Sequence, residues 1–223
     1  FVVEPVTPGE TVYFAVVATD LSGNFDPEVS AVAITPEDTQ APPEVTDLRV
    51  AASEPNALEL AWTPSADPHG DLTGYRLYVD TAAPLELPPA ADRYRLEGLQ
   101  PATRYTISVT TLDEPGNESD GRVIDGATWL PNPEAVSAGP VDGGVELSWE
   151  FVQPSDLVAH YAVYVSDDAI GDVSGLTPVL LRDGRYNRAR VTGLNNGQTY
   201  HLAVTTRNIS GGEDPAVISV AAQ

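Results

Sequence analysis

The sequence predicts an all-β chain of tandem sandwich units, and three observations carry that prediction. One long motif recurs at a domain-sized interval, its runs alternate apolar and polar residues with a period of two, and each run closes on a glycine followed by Asn or Gly. The motif runs from Thr11 through Val-Tyr-Phe-Ala-Val-Val-Ala-Thr-Asp-Leu-Ser to Gly23-Asn24. It returns from Arg104 to Gly116-Asn117 and again from Thr199 to Gly211-Gly212. The turn glycines Gly23, Gly116 and Gly211 lie 93 and 95 residues apart, too long for solenoid repeats and right for a whole sandwich.

Each element follows from the same grammar. Leu58, Leu60 and Trp62 place every second residue on one face of a strand, and Val145, Leu147 and Trp149 repeat the pattern. Gly74-Tyr-Arg-Leu-Tyr78-Val is matched by His160-Tyr-Ala-Val-Tyr164-Val, a third strand in each unit. Tyr105, Ile107 and Val109 alternate with Thr and Ser, as do Tyr200, Leu202 and Val204, which suits a sheet with one wet face. Gly-Asn and Gly-Gly tolerate positive φ and reverse the chain, so a hairpin partner is expected directly after each. Val29 to Thr35, Val123 to Thr128 and Ala216 to Ala221 are those expected last strands.

Composition narrows the function. The chain has 223 residues, more than one small β domain needs, and a formal charge of −22 from 33 acidic and 11 basic residues. Every basic residue is Arg, and Cys is absent. Such a surface repels phosphate backbones and anionic lipid, so nucleic-acid and membrane-surface partners are excluded, whereas divalent cations are attracted. Without Cys there is no disulfide, thiolate metal site or Cys nucleophile. The missing Lys beside abundant Ala, Gly, Pro and Arg points to a GC-rich genome, and the absence of Cys tilts the origin towards a prokaryote while leaving the compartment open. No apolar run of about 18 residues is present to span a membrane. A signal-peptide pattern is also lacking, so any export address is expected outside this segment.

One Trp on the second strand, Tyr-x-x-Tyr on the third, and Leu99-x-Pro101-x-x-x-Tyr105 at the entry to the sixth resemble fibronectin type III modules. The resemblance implies seven-stranded, immunoglobulin-like sandwiches in an elongated array, with a tyrosine corner built by Leu99 and Tyr105. Cores are expected to centre on Trp62 with Tyr105 and on Trp149 with Tyr200, and Tyr78 and Tyr164 are assigned to cores as well. Leu194 and Tyr200 keep the corner spacing in the later unit, with Asn196 in place of proline. The first segment has Val6 and Val12 at those positions and so lacks the corner tyrosine. The ATDLSGN and VTTLDEPGNES endings are similar to modules of secreted bacterial enzymes and surface proteins.

The expected partition is residues 1–36 as the last two strands of an incomplete module, 37–44 as linker, and 45–130 and 131–223 as full modules. Upstream residues or another subunit would have to complete the first. Thr35 to Glu44 carries three prolines and three acids and should be extended; Leu130-Pro-Asn-Pro133 is shorter and should be the stiffer joint.

No catalytic, cofactor-binding or metal-ligating constellation emerges. His69, His160 and His201 are scattered, and Asp167-Asp168 is the adjacency expected of an acidic chain. Calcium remains a candidate ligand at Asp20, Asn24 and Asp26 and at Asp113, Glu114, Asn117 and Glu118; Asn208, Glu213 and Asp214 form a poorer set, and Glu37 and Asp38 another. Turn chemistry accounts for the loops better. Asn117-Glu-Ser119 and Asn208-Ile-Ser210 fit the glycosylation sequon, which a prokaryotic chain usually ignores. The adhesion tripeptide Arg-Gly-Asp is absent. Trp129 lacks a counterpart in the other units and is expected to wedge into a junction beside Leu130, while Phe25, Tyr94 and Tyr186 are too scattered for a sugar platform.

The expected function is therefore non-catalytic: a structural and contact array, serving as spacer or in adhesion or assembly, of a large bacterial cell-surface, secreted or filament-forming protein, with protein partners or neighbouring copies of itself. The alternative is an accessory region of a secreted polysaccharide-degrading enzyme with carbohydrate contacts.

Overall fold

Residues 6–223 are described in the computed structural model. They form a short hairpin followed by two sandwiches. The hairpin pairs β1 (Val12–Phe14) with β2 (Val32–Ile34), antiparallel, with Tyr13 opposite Ala33. Both strands are shorter than their alternating sequence suggests, because few of their apolar side chains find anything to pack against. Tyr13, Val16, Phe25, Val32 and Ile34 are all exposed.

The first sandwich contains β3 (Thr46–Ser53), β4 (Ala57–Thr63), β5 (Leu72–Val79), β6 (Leu85–Leu87), β7 (Arg93–Glu97), β8 (Arg104–Asp113) and β9 (Arg122–Ala127). A three-stranded sheet in the order β3-β4-β7 faces a four-stranded sheet in the order β6-β5-β8-β9. The second repeats this with β10 (Ser137–Val141), β11 (Gly144–Ser148), β12 (Val158–Ser166), β13 (Leu180–Asp183), β14 (Arg188–Thr192), β15 (Tyr200–Asn208) and β16 (Val220–Ala222). Its sheets run β10-β11-β14 and β13-β12-β15-β16, so each unit has the seven strands expected. The last strand is shorter than expected: Ala216 makes only an isolated bridge to Asp172, and regular pairing resumes at Val220.

The period of two builds each core. Leu58, Leu60 and Trp62 turn inward from β4 to meet Tyr75 and Leu77 of β5 and Ile107 and Val109 of β8. Each such side chain removed from water contributes about 1.5–3 kcal/mol. The Trp62 ring meets Tyr75 edge-on at 5.9 Å, and Trp149 meets Tyr161 at 5.1 Å.

That pairing corrects the expected cores. The tyrosines against the tryptophans are Tyr75 and Tyr161, whereas Tyr105 and Tyr200 are half-buried at the rim. Tyr78 and Tyr164 do not join the inter-sheet cores either, since residues three apart on a strand point to opposite faces. Tyr164 packs with Ala162, Ile170 and Val173 on the outer face of its sheet.

Candidate functional site

Chemistry in this chain gathers at the ends of the sandwiches, where the repeated turn sits. Gly23, Gly116 and Gly211 adopt φ of 86°, 95° and 80°, a conformation that glycine enters without strain. A side-chain oxygen three residues earlier closes the turn each time. Asp20 Oδ1 accepts from Ser22 and Asn24 N–H, Asp113 Oδ1 from Gly116 and Asn117 N–H, and Asn208 Oδ1 from Ser210 and Gly212 N–H. The remaining carboxylate oxygens of Asp20 and Asp113 accept from Asn24 and Asn117 amides, at 2.9 and 2.7 Å. These hydrogen bonds hold the Asp20 carboxyl below the usual carboxylate range, the Asn24 side chain first among them.

The third copy has Asn where the other two have Asp, and the joint between the sandwiches explains why. Asn208 is 1% exposed, and its Nδ2 donates to Ser53 Oγ at 3.0 Å, Ala127 O at 2.8 Å and Thr128 O at 2.9 Å. A carboxylate would turn acceptors towards acceptors. Ser210 Oγ accepts from Ala127 N–H at 2.9 Å, and Arg104 reaches Asp156 of the second sandwich at 3.0 Å. Trp129 lies at this joint as expected, its indole N–H donating to the Ser53 carbonyl, while Leu130 enters the core of the second sandwich. Gly212 permits the approach, because a Cβ there would come within 2.6 Å of Ser53 Cβ and 2.9 Å of Trp129 Cδ1. The Asn208 sequon is thus buried and its amide occupied, and the Asn117 amide is occupied too.

At the other end of the first sandwich the segment before β3 is clipped down. Thr111 Oγ1 donates to Pro42 O at 2.8 Å, and the Asn117 amide donates to Asp38 O at 3.2 Å. Asp38, His69 and Asp71 meet there with ligand atoms within 4.8 Å of one another. Loss of water contact first, then the charges of Asp38, Asp113 and Asp67, push the Asp71 carboxyl above its ordinary range. Two carboxylates and an imidazole suit a borderline divalent cation better than calcium, which takes six to eight oxygens. Sequence reasoning gave His69 no partners, because nothing in local order shows that residue 38 folds back against residues 69 and 71. His160 and His201 stand apart on β12 and β15, and Asp167 accepts from Gln198.

Glu118 and Glu213, counted among the calcium candidates, are consumed by a repeated network instead. Glu118 accepts from Arg76, Tyr78 and Thr110 at 2.6, 2.8 and 2.6 Å; Glu213 accepts from Tyr164, Thr205 and Arg207. Burial opposes ionisation of both, and these donors outweigh it, so both carboxyls lie below the usual range. This is the role of the second tyrosine in each Tyr-x-x-Tyr.

The corner tyrosines complete the frame. Tyr105 Oη accepts from Gln100 N–H at 2.7 Å, and Tyr200 Oη accepts from Asn195 N–H at 3.2 Å while donating to Gln198. With that corner, the Trp strand and the seven-strand order together, the family model for the fibronectin type III domain matches residues 41–126. Residues 41–126 form a fibronectin type III domain. The second sandwich, outside that match, has the same strands in the same order. The chain is 34% identical over 119 residues to Chitinase A1 of Niallia circulans, covering 51% of this chain and 17% of the relative. It is 25% identical over 197 residues to the netrin receptor DCC of Rattus norvegicus, covering 83% of this chain and 13% of the relative. The chain therefore spans a small part of the curated relatives it matches. A crystal structure of chicken CNTN1 FN1-FN3 domains shares the fold at 18% identity and a TM-score of 0.51, over 97% of this chain and 78% of that one. Among the described residues, no helix is long and apolar enough to cross a membrane.

Proposed function

We propose that this chain is a non-catalytic spacer and protein-contact region of a large extracellular or cell-surface protein of bacterial type. Residues 45–130 and 131–223 are its full modules, 37–44 its linker, and 6–36 the last two strands of a further module. Residues 1–5 of that first segment lie outside the described residues. The observation that supports it best is the joint centred on Asn208, where polar groups of both sandwiches are spent on each other. A built joint holds two modules at a fixed angle, which is what a spacer requires. Its partners are proteins or neighbouring copies of itself. Small-angle scattering of the isolated chain tests it: one fixed inter-module angle is expected, and a broad distribution of angles overturns the spacer.

A second reading, an accessory region of a polysaccharide-degrading enzyme, is favoured by the likeness to Chitinase A1. Binding of this chain to insoluble chitin supports that reading. Hydrolysis of chitin by the purified chain would overturn the non-catalytic assignment.

A further inference from the structure

On a chain of charge −22, three arginines of the second sandwich stand without an acidic partner. β13 and β14 are edge strands of its two sheets, and the flank between them is a groove of about 520 Å³. Arg182 and Leu180 line it from one side, Arg188 and Arg190 from the other, with Glu146 and Leu147 at its floor. Arg76, Arg93, Arg95, Arg104, Arg185 and Arg207 all make ion pairs. Among the described residues Arg182, Arg188 and Arg190 make none. Arg182 lies over the Tyr186 ring at 4.2 Å, and its buried Nε–H has no hydrogen-bond partner. A buried guanidinium N–H left unpaired is costly, and an acceptor entering the groove would relieve it.

The first sandwich supplies the internal control. Arg93 and Arg95 on β7 stand 95 residues before Arg188 and Arg190. Arg93 pairs with Asp92 at 3.0 Å, and Arg95 pairs with Glu54 at 2.6 Å and Glu97 at 3.0 Å. At the positions equivalent to Asp92 and Glu97 the second sandwich has Asn187 and Thr192. Asn187 turns its amide to the Trp149 carbonyl at 2.9 Å. The arginines are kept while their acids are gone, and Glu146, opposite Arg190 in the register, is the one acid lining the groove.

We propose that this groove binds an extended acidic segment of polypeptide. Guanidinium forks match carboxylates in two-point geometry, and three of them along one groove suit successive acidic side chains. A peptide fits better than an anionic glycan because β13 is an open edge, paired on one side only by β12. Leu180 adds an apolar contact within the groove itself. Backbone and apolar side chains answer such an edge, and a sugar polymer offers neither. The occupant is a segment of another protein, because the chain's own Glu37-Asp38 is clipped to the first sandwich through Asp38. Overall repulsion between this acidic chain and an acidic partner is screened beyond about 8 Å at physiological salt, so the local patch governs the contact. The proposal goes beyond the spacer assignment, which stands whether or not the groove is filled.

Fluorescence anisotropy of labelled deca-glutamate with the full 223-residue chain tests this, with polygalacturonate as competing probe. Deca-glutamate should bind, more weakly as salt rises, and the Arg188→Ser/Arg190→Ser variant should lose about tenfold or more in affinity. Both side chains are exposed and unpaired, so that variant should melt with the wild type; if it does not, Arg190→Ser alone carries the test. Arg93→Ser/Arg95→Ser should bind as the wild type does. Absence of binding, undiminished binding by the double variant, or equal loss in the Arg93/Arg95 control overturns the proposal. Tighter binding of polygalacturonate than of deca-glutamate also overturns it and assigns the groove to an anionic glycan.

Discussion

The Asn208 side-chain nitrogen lies 3.0 Å from the hydroxyl of Ser53, a residue of the preceding sandwich, and both are buried. One amide thereby serves two jobs, since its oxygen closes a turn in its own module while its nitrogen ties the neighbour. Asn208→Asp keeps the first job and abolishes the second, placing a charge among the Ser53, Ala127 and Thr128 oxygens. A loss of about 2–3 kcal/mol is expected from this buried mismatch. Chemical denaturation should show it, and scattering should show a wider spread of inter-module angles in the variant.

The tyrosine corners should contribute unequally. Tyr105→Phe removes an acceptor from the Gln100 N–H at 2.7 Å, whereas Tyr200→Phe removes two longer, exposed contacts, from the Asn195 N–H at 3.2 Å and to Gln198 at 3.1 Å. The expected cost is about 1 kcal/mol at Tyr105 and less at Tyr200. Equal denaturation midpoints for wild type and Tyr105→Phe would remove the corner from the list of stabilising contacts.

Strand identity was legible wherever one face of a sheet is buried, because alternation then has a physical cause: Leu58, Leu60 and Trp62 in sequence are Leu58, Leu60 and Trp62 in the core. Pairing within the core was less legible. Tyr75 and Tyr105 both alternate correctly, and only the three-dimensional course of β5 beneath Trp62 decides between them. Long-range polar relations were not legible at all. Asn208 with Ser53, and Asp38 with His69, join residues far apart in the chain, and no local pattern marks such meetings. The unpaired arginines could have been suspected from sequence, by aligning Arg93-Tyr-Arg-Leu-Glu97 with Arg188-Ala-Arg-Val-Thr192 and noting the acid that is missing.

Glu213 should give the second module an acid-sensitive component of stability. Its folded carboxyl lies below the ordinary 4.5 despite burial, held by Arg207, Thr205 and Tyr164. A depressed carboxylate contributes its full stabilisation above the unfolded value, and that contribution is lost as pH falls through the lower folded value. Glu213→Gln should therefore melt earlier than the wild type at neutral pH, and the gap should narrow as pH falls below about 4.5. Comparing the two chains at each pH cancels the general relief of acidic repulsion. A gap independent of pH would show that the carboxylate charge is not what stabilises.

The hairpin of β1 and β2 should be the least protected part of the chain. Phe14 and Val16 occupy the motif positions that Ile107 and Val109 hold in the next copy, yet Val16 is 93% exposed where Val109 is 0% exposed. The same side chains that bury against an opposing sheet in the full modules have none here among the described residues. A two-stranded hairpin of this length is marginal in water, so the amides of Val12 to Phe14 should exchange with solvent far faster than those of Ile107 to Val109. If this segment is the end of a further module, extending the chain upstream should supply the missing sheet and slow exchange at Val12 and Phe14. Hydrogen exchange of the two chains side by side reads the difference. Strong protection of Val12 to Phe14 in a monomer of the present chain would mean that the hairpin is stable alone, and the incomplete-module assignment would fall.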